Sequence, residues 1–334
     1  MNHFVAWFFL LLFTVLIPPP SHGFYEQRQD DSALEIRGFL GFGAGYVSYP
    51  PFSTIFREGE DLPWTADLRI LLDSDHGEDI HLTANILQST RSKPPFEPAI
   101  AGLIPVDVER SSLLTWEQHD TAGSRSEMVV DVLQLQYRTS KIDYTVGRQP
   151  VNLATTFYFA PNDFFAPFAP QTFFRTYKPG VDGIRGDILL AELSQLTLLA
   201  VLSYDTEPAS PDTWQYEPDW RSTSFLGRVT AELAGYEWAF LAGTVNDYTI
   251  AGGLLQGDVF GQIVLRGEGH YGDPETSSGE SFFKLAVGIE KLYANNFNWR
   301  LEYFQNSGGS GTGGSLVTAA DQDRDYAALG WGMR

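Results

Sequence analysis

From about residue 33 onward, apolar and polar positions alternate two by two in short stretches separated by glycine, proline and polar clusters. That period is the mark of β-strands with two unlike faces. It predicts strands over 33–49, 64–72, 80–88, 128–138, 142–147, 181–190, 195–204, 224–233, 236–245, 248–255, 262–271, 281–293, 297–303 and 326 onward. The alternation is sharpest near the end of the chain. Phe283, Leu285, Val287 and Ile289 oppose Phe282, Lys284, Gly288 and Glu290, and Phe297, Trp299, Leu301 and Tyr303 oppose Asn298, Arg300 and Glu302.

The connections between these strands follow a parity rule. Every second one is short: 73–78, 139–141, 191–192, 234–235, 257–260 and 294–296. The others are long, at 50–63, 89–126, 150–178, 205–221, 272–280 and 305–323, with only Asn246–Asp247 short among them. A soluble sandwich has no reason to sort its loops this way, whereas outer-membrane barrels join strands by short periplasmic turns and longer external loops. A sandwich would also turn the aromatic face inward and the charges outward. In a barrel the charges must line water, because an Arg or Lys facing lipid at mid-depth costs about 2–4 kcal/mol. The expected fold class is all-β: a transmembrane antiparallel β-barrel of 14 to 16 strands, with an inward-folded loop at 150–178 after the fifth strand.

Composition agrees. Hydrophobic residues make up 43% of 334, yet mean hydropathy is slightly negative, so helical spans of about 20 apolar residues are not expected. The one apolar run, Phe4 to Ile17, is short for a span and is followed by three prolines and Ser21-His22-Gly23. It reads as a secretory leader over 1–23 that is removed on export, leaving 24–334 as the barrel. The chain has no cysteine, so neither disulfides nor thiolate chemistry enter. A net charge of −20 argues against nucleic acid as a partner, since phosphate backbones need a cationic face.

The stretch 146–185 breaks the pattern. Between two strand segments lies VGRQPVNLATTFYFAPNDFFAPFAPQTFFRTYKPG, with seven phenylalanines, five prolines and two tyrosines. The prolines forbid a central strand, and a loop this aromatic does not belong in water. It is expected to fold back into a sheltered interior, its aromatics forming its own packing core.

Gly147-Arg148-Gln149, Pro161-Asn162-Asp163-Phe164-Phe165, Pro167-Phe168 and Pro179-Gly180-Val181-Asp182 resemble a motif series of bacterial outer-membrane porin-like proteins, including the alginate-export type. The chain departs from that family by Asn152-Leu153 where a tryptophan is usual, and by the order Pro161-Asn162. The family's closing strand ends in an aromatic that serves as an assembly signal. Here the end is Gly330-Trp331-Gly332-Met333-Arg334. Either Trp331 serves instead or a closing hairpin or two lies beyond the chain, and the second is the expectation. The resemblance implies an outer-membrane location in a Gram-negative bacterium, with membrane lipid and the barrel-assembly machinery as partners. By likeness to trimeric porins it also implies a homotrimer.

The candidate site follows from the loop. Asn162, Asp163, Arg175 and Lys178 on it, with Arg148, Asp182 and Arg185 at its feet, either form a mixed-charge constriction that filters solutes or pair with one another to pin the loop. Four cations against two acids in this span favour small polar or anionic solutes. Arg228, Glu232, Arg266, Glu268, Lys284, Glu290, Arg300 and Glu302 are expected on the water-lined wall. The alternative is a non-conducting structural or receptor-like barrel plugged by the loop. No catalytic residues are expected, because His76, His81, His119 and His270 sit in no serine-nucleophile motif. No cofactor or metal is expected either: Asp73, Asp75, Glu78 and Asp79 read as a solvated turn rather than a calcium loop.

Overall fold

The computed structural model describes residues 11–16, 24–29, 31–48, 60–93, 109–167, 177–204, 217–259, 261, 263–275, 280–293, 295, 297–308 and 325–333. The chain divides into two units. One comprises 1–106, 111–135 and 206–216, the other 107–110, 136–205 and 217–334.

In the first unit, β1 (Leu11–Leu16), β2 (Tyr25–Gln29), β3 (Ser32–Ser48), β4 (Glu60–Asp61), β5 (Trp64–His76), β6 (Ile80–Ser92), β7 (Thr115–Asp120) and β8 (Ser124–Arg138) follow one another, and β8 carries the chain into the second unit. The long 17-residue β3 is its spine. One edge pairs with β5 from Ser32↔His76 to Ala44↔Trp64. The other edge is shared by β2, from Tyr25↔Ile36 to Gln29↔Ser32, and β1, from Leu11↔Tyr46 to Leu16↔Gly41. The apolar run expected to be a removable leader thus contains a strand laid antiparallel on β3. On β5, buried Arg69 donates to Asn85 of β6 and Asp131 of β8, both at 2.7 Å, while its chain neighbours Leu68 and Ile70 are exposed on the opposite face.

The second unit contains β9 (Ile142–Gln149), β10 (Val181–Ala191), β11 (Ser194–Tyr204), β12 (Pro218–Leu233), β13 (Tyr236–Val245), β14 (Tyr248–Val259), β15 (Ile263–Pro274), β16 (Phe282–Leu292), β17 (Phe297–Asn306) and β18 (Asp325–Met333). Each pairs antiparallel with the next in chain order. Of the eighteen described strands, fourteen have eight residues or more, and these occupy the positions expected from the alternation.

Four short strands were not expected, and several polar stretches read as loop are partly paired. Tyr25–Gln29 forms β2; Thr115–Asp120 forms β7, which pairs with the first half of β8 inside the expected 89–126 loop; β12 begins at Pro218 and β15 runs on to Pro274. The physical reason is that β2 and most of β7 are exposed on both faces. With no buried side there is nothing for alternation to record.

The two faces of the second unit are inverted relative to a water-soluble sheet. Tyr144, Ile184, Leu198, Phe225, Phe240, Leu285 and Leu301 are exposed on one side. Thr145, Thr197, Glu268, His270, Glu290 and Glu302 are buried on the other. An apolar face this continuous is not left bare in water, and the covered charges call for partners.

Candidate functional site

What covers the polar face of the second unit is the segment after β9. It leaves the sheet at Pro150 and rejoins it at Val181. Its foot is fixed by register. Arg148 and Asp182 are directly paired residues of β9 and β10, and the Arg148 guanidinium, 2% exposed, grips the Asp182 carboxylate with Nε at 2.7 Å and Nη2 at 3.0 Å. This two-pronged geometry suits a planar guanidinium to a planar carboxylate. Beside it, Gln149 donates to the Gly183 carbonyl at 3.1 Å. The Asp182 N–H donates to the Glu109 carbonyl, and the Glu109 carboxylate accepts from Asn246 Nδ2 at 3.1 Å.

Local chemistry bends the segment. The Ala154 N–H donates to its neighbour Asn152 Oδ1 at 3.0 Å, and the Asp163 N–H closes a turn on the Ala160 carbonyl. Proline at the second position of that turn and asparagine at the third suit it, which accounts for the order Pro161-Asn162. Val151, Leu153 and Phe165 then join Val181, Leu199, Val201, Leu226, Leu241, Val245 and Ile250 in one apolar cluster. Phe159 stacks on Phe304 of β17 at 5.3 Å between ring centres, with Tyr326 beside it. Of the aromatics expected to pack on each other, Phe157 meets Tyr158 at 5.0 Å and Phe164 meets Phe165 at 6.3 Å between ring centres, while Phe159 and Phe165 also pack on the wall, where the inner faces of β10–β14 and β17 offer apolar side chains.

Two wall glutamates hold the backbone of the loop. Glu302 accepts from the N–H groups of Phe157, Tyr158 and Phe159 at 2.6, 2.6 and 3.1 Å. Glu268 accepts from those of Thr155, Thr156 and Asn162, the last two at 3.3 Å. Successive N–H groups converging on one carboxylate form an anion nest, here with the anion on the protein itself. Arg266 donates to the Thr155 carbonyl at 2.8 Å, Asn162 Nδ2 donates to the Gly253 carbonyl at 3.0 Å, and Asn162 Oδ1 meets His270 Nδ1 at 3.1 Å. Two glycines make room. A Cβ on Gly288 would lie 2.7 Å from Glu302 Cγ, and one on Gly330 would fall on the Tyr158 hydroxyl.

The remaining expected residues fall as follows. Asp163 pairs with Lys178 across the two limbs of the loop. Burial pushes the Lys178 ammonium below its usual range, and the Asp163 charge pulls it back up. Asn162 is fully buried. Arg185 pairs with Asp187 at 2.7 Å on its own strand, away from the loop's anchors. Arg175 lies outside the described residues. Glu232 shares a face with Arg228 but is exposed beside the β12–β13 turn. Lys284 lies over the Phe282 ring at 5.6 Å.

Arg228, Arg266, Glu290 and Arg300 come together. With Glu237, Gln256 and loop residues 152 and 154–157 they line a cavity of about 350 Å³. It lies on the side of the loop toward the short turns that follow β12, β14 and β16. Glu290 accepts from Arg300 at 2.6 Å and from Arg266 at 3.2 Å, Arg228 lies 3.5 Å from Glu237, and the Arg300 guanidinium sits 4.2 Å from the Phe157 ring centre. The Nε atoms of Arg228 and Arg266 are buried without a hydrogen-bond partner. Three guanidiniums face two carboxylates, so the cavity is cationic in a protein of net charge −20. Gln256 and Glu237 are not among the residues expected at the site; their alternation with Leu255 and exposed Trp238 marks the face, but nothing in the sequence brings them to one cavity.

No family model matches the chain, and no curated protein sequence matches it. Solved structures do. Salmonella typhi OmpF in complex with daunomycin is 10% identical over 92% of this chain and 87% of that one, with a TM-score of 0.51. Acinetobacter baumannii OccAB3 is 15% identical over 83% of this chain and 67% of that one, with a TM-score of 0.47. The likeness to OmpF is one of fold: an all-β antiparallel architecture. Among the described residues no group of three His, Cys, Asp or Glu could hold a metal ion.

Proposed function

We propose that the chain closes into an outer-membrane barrel and works as a porin-like channel for small polar or anionic solutes, with the 150–178 loop as its constriction. The observation that carries this reading is the pairing of an exposed apolar face with a charged, loop-covered one. Lipid takes the first at no cost, and water or solute takes the second. Arg228, Arg266 and Arg300 then face a passage whose local charge is positive, and fixed charges at a narrow aqueous gap select by sign. In this reading Arg148–Asp182 and Asp163–Lys178 anchor the loop, while the arginine cavity does the filtering. Export through a removable leader, the barrel-assembly machinery and a homotrimeric assembly belong to the same proposal.

The dense hydrogen bonding of the loop favours a second reading, a barrel plugged at rest. Planar-bilayer recording separates the two. Discrete conductance steps from the purified protein support the channel. Silence that gives way to steps when residues 152–177 are deleted supports the plug.

A further inference from the structure

We propose that Glu268 and Glu302 form a proton-released latch for the loop. Both are 2% exposed, on β15 and β17, and between them they accept six backbone N–H groups from residues 155–162. The ionised carboxylate is the form suited to this. It offers acceptors on both oxygens, whereas the protonated acid turns one of them into a donor facing N–H groups that have nowhere else to go. Acid therefore sets donor against donor at both anchors, and the loop leaves the wall.

The groups around the two anchors set the sign. Arg228 of β12 interacts with Glu268 through space, and Arg266 and His270 flank it on its own strand, with Lys284 of β16 opposite His270. Near Glu302 are Arg300 on its own strand and Glu290 of β16. A proton taken up by His270 adds positive charge to the same wall and works toward release. The latch rests on the contacts alone; only its consequence for transport, a wider passage in acid, rests on the channel reading.

The chain has no cysteine, so one introduced at half-buried Ala160 reports on the loop without background. Its rate of modification by a membrane-impermeant maleimide is measured from pH 7 to about pH 4, near the carboxylate range, and normalised to the urea-unfolded protein at each pH. Folding is monitored by heat-dependent gel mobility. The expected result is a rise of about tenfold in the folded protein as the pH falls. The Glu268→Gln/Glu302→Gln variant should react fast at pH 7 and lose the pH dependence. A flat profile in the folded parent protein overturns the latch whatever the variant does. So does a folded variant that keeps the parent's profile. Bilayer silence with a pH-dependent labelling rate leaves the latch standing and refutes the channel instead.

Discussion

Replacing Arg148 by methionine tests the foot of the loop. The guanidinium is 2% exposed and two of its nitrogens meet Asp182 within hydrogen-bond distance across the β9–β10 register. Methionine fills much of the same volume but leaves the Asp182 carboxylate, whose side chain is 15% exposed, without that partner. Breaking a buried ion pair from one side costs about 3–5 kcal/mol. Replacing both members by apolar residues of similar size is often close to neutral, because neither charge is then left behind. The expected result is therefore a loss of about 3–5 kcal/mol for Arg148→Met and a smaller loss for Arg148→Met/Asp182→Leu. The assay is reversible urea unfolding in lipid vesicles, followed by tryptophan fluorescence. Losses that simply add in the double variant, or a single-variant loss below about 1 kcal/mol as seen for exposed pairs, would refute the argument.

Two further outcomes follow from the same structure. Leu285→Arg, on the exposed apolar face, should cost about 2–4 kcal/mol in vesicles if that face meets lipid at mid-depth; a change near zero, as at a watery surface, would count against the lipid-facing assignment. Phe159→Ala, which removes the ring stacked on Phe304, should cost about 3–5 kcal/mol of loop docking, seen as faster amide exchange over 151–165 with the exchange of β11 unchanged.

Much of this architecture was legible because a sheet with one apolar and one charged face writes itself into sequence as a strict two-residue period. The inward face of β16 and β17, with Glu290, Arg300 and Glu302, could be read from alternation alone. The aromatic and proline content of 150–178 marked a sheltered segment for the same kind of reason: those residues can neither pair as a strand nor rest in water. What stayed hidden used interactions that leave no periodic trace. β2 and β7 are solvated on both faces, so no pattern separates them from loop. The clamp by Glu268 and Glu302 acts on peptide N–H groups, which every residue of the loop but proline carries alike. Asp163 could be read as a partner for some cation, but only the folded loop brings it to Lys178. The cationic cavity draws on strands from β12 to β17, separated by up to 72 residues from Arg228 to Arg300, and depends on the loop for its remaining wall.

The most direct test of the central claim is the reversal potential of the reconstituted protein across a potassium chloride gradient, at neutral pH and low ionic strength, where charge selection is least screened. The account predicts a potential displaced toward that of chloride, and a displacement that shrinks in Arg266→Gln. A potential displaced toward that of potassium, unchanged by Arg266→Gln, would contradict it.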